Sequence, residues 1–291
     1  MKITLAAHYG MCFGVKDALR KTQEIAAAGP VTVLGQLVHN PVVREDLQQR
    51  GVQEGDLFRV GQAPTRDVII TAHGASDKDR GSWREAGFRL TDTTCPLVRK
   101  AHTALAQLVA AGCQPIIIGQ RNHVEVRGLA GDFPTACIVE EVNDLEALPE
   151  AEKFGIVSQT TQPLDKVHAM VRAVRQQFPN SEVIFRDTVC QPTKDRQSAL
   201  EALCRGNEVV VIVGGANSNN TRQLVLTARS YGATAYQVER AADLDPAWFR
   251  GVERVGLTAG TSTLESTVEE VARVLREEIN AAISAPDRRA S

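Results

Sequence analysis

The stretch FRLTDTTC, residues 88–95, runs a short strand into an Asp-Thr-x-Cys turn and hands the chain directly to Pro96 and an apolar-periodic segment. Residues 182–190, EVIFRDTVC, repeat the plan with Asp187, Thr188 and Cys190, and residues 2–12, KITLAAHYGMC, end in the same manner at Cys12. A strand that delivers a lone cysteine to the start of a helix, three times in one chain, reads as a threefold internal repeat. Spacing supports the repeat. After each cysteine an apolar strand leads to a polar turn: VTVLG to His39, PIIIG to His123 and VVVIVGG to Ser218. The intervals are 27, 28 and 28 residues (39 − 12, 123 − 95, 218 − 190). A further strand in each unit ends on a second polar turn, VIITAHG at His73, FGIVSQTT at Thr160 and RVGLTAGTS at Ser262. These later intervals lengthen, as insertions in surface loops allow at little thermodynamic cost.

Strands alternate with helices throughout, the helices expected at about 15–28, 42–50, 76–86, 96–111, 164–178, 193–205, 221–231 and 265–283, with a further short one after the RNHVEV turn. Pro96 suits a first helical position, and Gly29-Pro30 and Pro179-Asn180 stop their helices. The segment after Gly51 reads as irregular, and ACIVEEV, residues 136–142, reads as a strand. This alternation predicts an α/β protein of parallel sheets with right-handed crossovers. The expected organisation is three pseudo-symmetric α/β/α units, 13–95, 96–189 and 190–283, arranged as a trefoil. The last helix has no strand after it, so residues 1–12 are expected to complete the third unit, and residues 284–291 form a polar, disordered tail.

The 291 residues carry a net charge of −2 with acidic and basic side chains scattered, so no nucleic-acid or membrane surface is indicated. No run of 18 apolar residues occurs, and Met1 leads straight into a strand; both features point to a soluble, cytoplasmic protein. Six cysteines are too few for a disulfide scaffold in a chain this long, and none forms a CxxC pair. Cys113, Cys137 and Cys204 read as small buried hydrophobes. Cys12, Cys95 and Cys190 stand instead at strand-to-helix turns, at the carboxyl ends of strands where ligands of open α/β sheets collect.

Three thiolates can hold a [4Fe-4S] cluster by three of its irons and leave the fourth open to a substrate oxygen. A three-cysteine zinc site satisfies the ligand count too, although the wide spacing is unlike that of zinc knuckles. His39, His73 and His123 can donate hydrogen bonds, and Ser218, Asn220 and Ser262 offer neutral donors near helix N-termini, a combination suited to a phosphate or diphosphate. Each of these has a plainer reading as a satisfied histidine or an N-cap. His8, His102 and His168 are read as structural. Glu125, two residues past His123, is the carboxylate in the ring of polar turns. Away from solvent its pKa would rise into the range of a general acid, whereas in a first helical turn it would simply complement the dipole.

Taken together, MCFGV at Cys12, LVHNP at His39, AHG at His73, DTTCPLV at Cys95, HVEVRG at His123, SQTT at Thr160, DTVCQPTKDRQ at Cys190, NSNNT from Asn217 and LTAGTST at Ser262 resemble the 4-hydroxy-3-methylbut-2-enyl diphosphate reductase family over essentially the whole chain. That resemblance implies one oxygen-sensitive [4Fe-4S] cluster per chain on Cys12, Cys95 and Cys190. It implies Glu125 as proton source assisted by Thr160, and a diphosphate held by His39, His73, His123, Thr160, Ser218, Asn219, Asn220 and Ser262. It further implies an external one-electron donor such as a ferredoxin or flavodoxin, and reductive loss of the allylic hydroxyl to give isopentenyl and dimethylallyl diphosphates, the last step of the methylerythritol phosphate route to isoprenoids. The chain departs from the family's common residues at Val124, Pro192, Asn219 and Leu264-Glu265. A quinolinate synthase-like cluster enzyme and a non-catalytic iron–sulfur redox or sensor protein are the alternatives, the latter needing neither Glu125 nor the anion ring.

Overall fold

The structure, a computed structural model, describes residues 1–281 except His39 and Asn217, and of Asn219 the backbone alone. In chain order its regular elements are β1 (Lys2–Leu5), α1 (Phe13–Ala26), β2 (Val31–Leu34), α2 (Pro41–Gln49), β3 (Val52–Gly55), β4 (Asp67–Ile70), α3 (Asp77–Glu85) and β5 (Arg89–Asp92). There follow α4 (Pro96–Ala110), β6 (Gln114–Ile118), α5 (Val124–Gly131), β7 (Cys137–Val139), β8 (Lys153–Ser158), α6 (Leu164–Gln177) and β9 (Glu182–Phe185). The last are α7 (Gln191–Gly206), β10 (Val209–Val213), α8 (Asn219–Ser230), β11 (Thr234–Val238), β12 (Arg254–Ala259) and α9 (Glu265–Val274).

The strands form three four-stranded sheets, ordered β3-β2-β4-β5, β7-β6-β8-β9 and β11-β10-β12-β1, and every pairing is parallel. Each sheet therefore has the same order, second-first-third-fourth within its unit. In the last sheet the fourth place is taken by β1, with Lys2 opposite Arg254 and Leu5 opposite Leu257, so the N-terminal strand does fill the vacancy expected from the sequence. By its packing the chain separates into two compact units. One comprises residues 1–15, 38–45 and 195 onward and contains the β1 sheet; the other comprises 16–37 and 46–194 and contains the remaining two sheets.

Parallel strands covered on both faces become continuous apolar runs, and β10, VVVIV, is buried at all five positions. Alternate side chains serve opposite layers. Val209, Val211 and Val213 join Val255, Leu257, Val268, Val271 and Leu275, whereas Val210 and Ile212 join Leu200, Leu203, Leu224 and Val225. The strand β6 does the same, sending Ile116 and Ile118 toward Val167, Met170 and Val174 of α6, and Ile117 toward Leu105 and Leu108 of α4. The repeat is visible in packing detail as well. Gly155 and Gly256 occupy the third position of β8 and β12, and a Cβ there would come within 2.8 Å of Leu108 and 2.6 Å of Leu203, on the helices that follow Cys95 and Cys190.

Three local expectations change. The segment after Gly51, expected to be irregular, is the edge strand β3; Val52 is buried but Gln53 and Glu54 are exposed at the sheet margin, so the segment lacks apolar alternation. The strand expected over ACIVEEV is three residues long, because the Asp144 carboxylate accepts the N–H groups of Glu140 (2.7 Å) and Glu141 (3.0 Å) and turns the chain into a 3-10 segment, Val142–Ala147. The final helix is α-helical to Val274 and continues as a π turn, Leu275–Ile279; its expected end at 283 and the tail 284–291 lie outside the described residues. Among the described residues no helix is long and apolar enough to cross a membrane.

Candidate functional site

In an open sheet the strand order reverses between first and third strands, and the loops leaving them diverge to opposite faces, opening a crevice at their carboxyl ends. In each of the three sheets the polar turns follow those two strands. His73 follows β4; His123 and Thr160 follow β6 and β8; Ser218 and Ser262 follow β10 and β12. The three singled-out cysteines all follow the fourth strand: Cys95 after β5, Cys190 after β9 and Cys12 after β1. His39, after β2, lies outside the described residues, as does the side chain of Asn219.

In the larger unit the switch point of the β6–β8 sheet carries a buried carboxyl group. Glu125 stands in the first turn of α5 and is 1% exposed. One carboxylate oxygen, Oε1, accepts the Thr160 N–H at 2.6 Å, and Oε2 lies 2.9 Å from the Thr160 hydroxyl, Oγ1. Burial pushes the Glu125 pKa up to about 7, and the two Thr160 hydrogen bonds pull against that rise. The N-cap of α5 is His123, whose Nδ1 accepts the Glu125 N–H at 3.2 Å, so its ring carries its proton on Nε2 when neutral. The His73 ring meets that of His123 edge-on, centroids 5.2 Å apart, and its Nδ1 is 3.4 Å from the Thr71 hydroxyl. His73, His123, Glu125 and Thr160, expected from the sequence as separate polar turns, thus gather in one place.

Gln159, beside Thr160, binds the crevice together. Its buried Oε1 accepts the Gln120 N–H at 3.1 Å and the Gln162 amide at 2.9 Å, and its Nε2 donates to Thr161 Oγ1 at 3.0 Å. That ties the loop bearing His123 to the loop bearing Thr160. Sequence reasoning gave Gln159 no role; its place inside the SQTT motif, one residue before Thr160, is the one clue available.

The same topology in the smaller unit holds neutral groups. Ser218 is the N-cap of α8; it accepts the Thr221 N–H at 3.3 Å, which leaves its O–H to donate elsewhere. Asn220 Oδ1 accepts the Thr261 N–H at 3.0 Å, and the Ser262 carbonyl accepts from Asn40 Nδ2 at 2.9 Å. Asn40, passed over in the LVHNP motif, also accepts the N–H groups of Val42 and Val43 and so starts α2 beside the Ser262 turn.

None of the six cysteines forms a disulfide. Cys113 and Cys204 are buried, as expected of small hydrophobes, but Cys137 is only partly buried because β7 is an edge strand. Cys12, Cys95 and Cys190 are each partly exposed immediately before or at the start of a helix; Cys95 is the N-cap of α4, and Cys190 Sγ lies 3.1 Å from Thr193 Oγ1. Among the described residues neither unit gathers three His, Cys, Asp or Glu side chains as a metal site, and the larger unit contains only two of the three turn cysteines. As donors, partly exposed thiols beside helix N–H groups suit the soft irons and sulfides of an iron–sulfur cluster.

Residues 3–276 match the sequence profile of the LytB protein family. The chain belongs to that family. It is 35% identical over 284 residues to a 4-hydroxy-3-methylbut-2-enyl diphosphate reductase of Aquifex aeolicus, covering 94% of this chain and 96% of the relative. It is 38% identical over 283 residues to one of Neisseria meningitidis serogroup C, covering 94% and 87%. Among solved structures, the E-1-hydroxy-2-methyl-but-2-enyl-4-diphosphate reductase of Plasmodium falciparum superposes with a TM-score of 0.87 at 30% identity, over 95% of this chain and 88% of that one. LytB family members are oxidoreductases and iron–sulfur proteins, and this chain is an enzyme of that family.

Proposed function

We propose that the chain reduces (E)-4-hydroxy-3-methylbut-2-enyl diphosphate to isopentenyl and dimethylallyl diphosphates. The observation that carries the reading is the Glu125–Thr160 pair, a fully buried carboxyl group poised near neutrality at a topological switch point. The reaction replaces a C–OH bond by C–H: two electrons and two protons enter and one water leaves. A [4Fe-4S] cluster, one per chain and held by Cys12, Cys95 and Cys190, would supply the electrons and an open coordination position when bound.

The remaining work falls to the chain. The Thr160 hydroxyl donates to Glu125 Oε2; with the carboxyl protonated the bond reverses, Thr160 Oγ1 giving its proton to the departing substrate oxygen and taking the one on Glu125 Oε2, so the leaving group is water rather than hydroxide. The Thr160 N–H on Oε1 keeps the carboxyl from rotating away. His39, His73, His123, Ser218, Asn219, Asn220 and Ser262 bind the diphosphate, the serines and asparagines acting at helix starts where anions are favoured. The three sheet units correspond to residues 13–95, 96–189 and 190–283 with 1–12, and electrons come singly from a ferredoxin- or flavodoxin-type donor.

The test is anaerobic purification, iron and sulfide analysis, and addition of the hydroxylated diphosphate to enzyme with reduced viologen. Oxidation of about two viologen equivalents per substrate, with isoprenoid diphosphates formed, is the expected outcome. A stable cluster with no substrate-dependent viologen oxidation would overturn the assignment.

A further inference from the structure

Asp92-Thr-Thr-Cys95 and Asp187-Thr-Val-Cys190 are built alike at their first step. In each, the aspartate Oδ1 accepts the N–H two residues on, from Thr94 at 2.9 Å and from Val189 at 3.1 Å. Each threonine after the aspartate ties the turn to a neighbouring strand, Thr93 Oγ1 to the Ile70 carbonyl and Thr188 Oγ1 to the Ser158 carbonyl. Each aspartate also pairs with the cation seven residues on, Asp187 Oδ2 with Lys194 Nζ at 2.6 Å and Asp92 Oδ2 with Arg99 Nη2 at 2.8 Å. They diverge at a second cation: Asp92 also meets Arg80, whose side chain is 9% exposed against 14% for the aspartate.

Arg80 spends its planar fork on four partners. Its Nε donates to Asp92 Oδ2 at 2.9 Å, Nη1 to the Ala75 carbonyl at 2.6 Å and to Asp77 Oδ1 at 3.0 Å, and Nη2 to Thr94 Oγ1 at 3.2 Å. Thr94 Oγ1 also donates to Asp92 Oδ1. Thr94 immediately precedes Cys95; the Cys95 N–H is bonded to the Ala72 carbonyl at 3.0 Å, as the Cys190 N–H is to the Thr160 carbonyl at 2.9 Å, so the difference between the two turns lies in Arg80. Few local motions can displace Cys95 without breaking a charge-assisted bond in a dry environment. A lysine could not reproduce this, having one point charge in place of a fork.

We propose that Arg80 is a positioning residue for the Cys95 sulfur: by locking the Asp92–Thr94 turn it makes Cys95 the rigid member of the cysteine pair in its unit, while Cys190, whose aspartate is paired with the partly exposed Lys194, is the yielding one. The proposal rests on the reading of Cys95 as a cluster ligand. Its consequence is unequal release of the two sulfurs: the turn at Cys190 opens more readily than the turn at Cys95.

The test uses cluster-loaded enzyme handled without oxygen. Hydrogen–deuterium exchange followed by mass spectrometry compares peptides spanning 91–97 and 186–192, and iron loss to a chelator is timed. In Arg80→Lys, exchange in 91–97 and iron loss should each rise about tenfold, with 186–192 unchanged. Thr94→Val leaves the Arg80–Asp92 pair in place and removes only the bridging hydroxyl; it should move both readouts the same way by about threefold, and it stands in for Arg80→Lys should that variant not fold. Equal exchange rises in both peptides, or none in 91–97, would overturn the proposal, since a merely structural loss acts on both turns. Faster exchange in 91–97 with unaltered iron loss also overturns it when Cys95→Ala is devoid of cluster. Retention of the cluster by Cys95→Ala removes the ligand reading itself, and the proposal with it.

Discussion

The switch point of the β6–β8 sheet and that of the β10–β12 sheet have the same strand order and place their polar turns at the same two positions, yet they are equipped for different tasks. The first holds a buried carboxyl group raised to about 7 and bonded twice to Thr160. The second holds Ser218, Asn220 and the Ser262 turn, which do not change charge and whose hydrogen bonds cap α8 and join neighbouring loops. Topology determines where chemistry can occur; the residue type and its burial determine whether a site transfers a proton or only binds.

The sharpest break of that contrast is Glu125→Gln. Turnover should fall by about 10² to 10⁴ with KM little changed, because the glutamine keeps the geometry and removes the proton. Steady-state viologen oxidation measures it, and unaltered kcat would remove the acid from the mechanism. The wild-type rate should also decline as pH rises past about 7, where the acid loses its proton, a limb that the glutamine variant lacks.

Next in size is a stability difference with a defined sign. The folded Glu125 pKa, about 7, lies above its ordinary value of 4.5, so the folded chain binds the proton more tightly than the unfolded chain. Its contribution is fully present below about pH 4.5 and is lost as pH rises through about 7, above which the loss levels off at roughly 3 kcal/mol. Glu125→Gln should therefore be more stable than wild type at pH 8 and near equal to it at pH 4.5, read from thermal midpoints under anaerobiosis. No counterpart is expected for Ser218.

Ser218→Ala should act in the opposite category, raising KM about tenfold with kcat retained and costing about 1 kcal/mol through the lost N-cap. A fall in kcat with unchanged KM would erase the division of labour between the two switch points. The smallest effect is expected for Lys194→Met: the pair with Asp187 faces solvent, so stability should change by less than about 1 kcal/mol, and by less still at high salt.

The repeat, the parallel α/β class, the place of β1 and the polar turns were legible in the sequence because each depends on local periodicity and on spacing between like motifs. Helix boundaries came within two or three residues for α3, α4 and α6, where Ser76, Pro96 and Pro163 mark the starts. The edge strand β3 was not legible, since a polar strand at a sheet margin has no apolar alternation to display.

Sequence alone determined which residue types stand at the carboxyl ends of the strands: three cysteines, a glutamate, and a set of histidines, serines and asparagines with the motifs of a known family. Only tertiary structure decided what those groups are able to do. Glu125 could equally have been a solvated first-turn carboxylate; it is an acid poised near neutrality because packing removes water from it and brings Thr160 from 35 residues away. Arg80, within the polar segment SDKDRGSW, showed no pattern that set it apart, and it gains its role from the fold, which buries it against Asp92 and Thr94. Burial and long-range partners set charge states and rigidity, and neither is encoded in any local window of the chain.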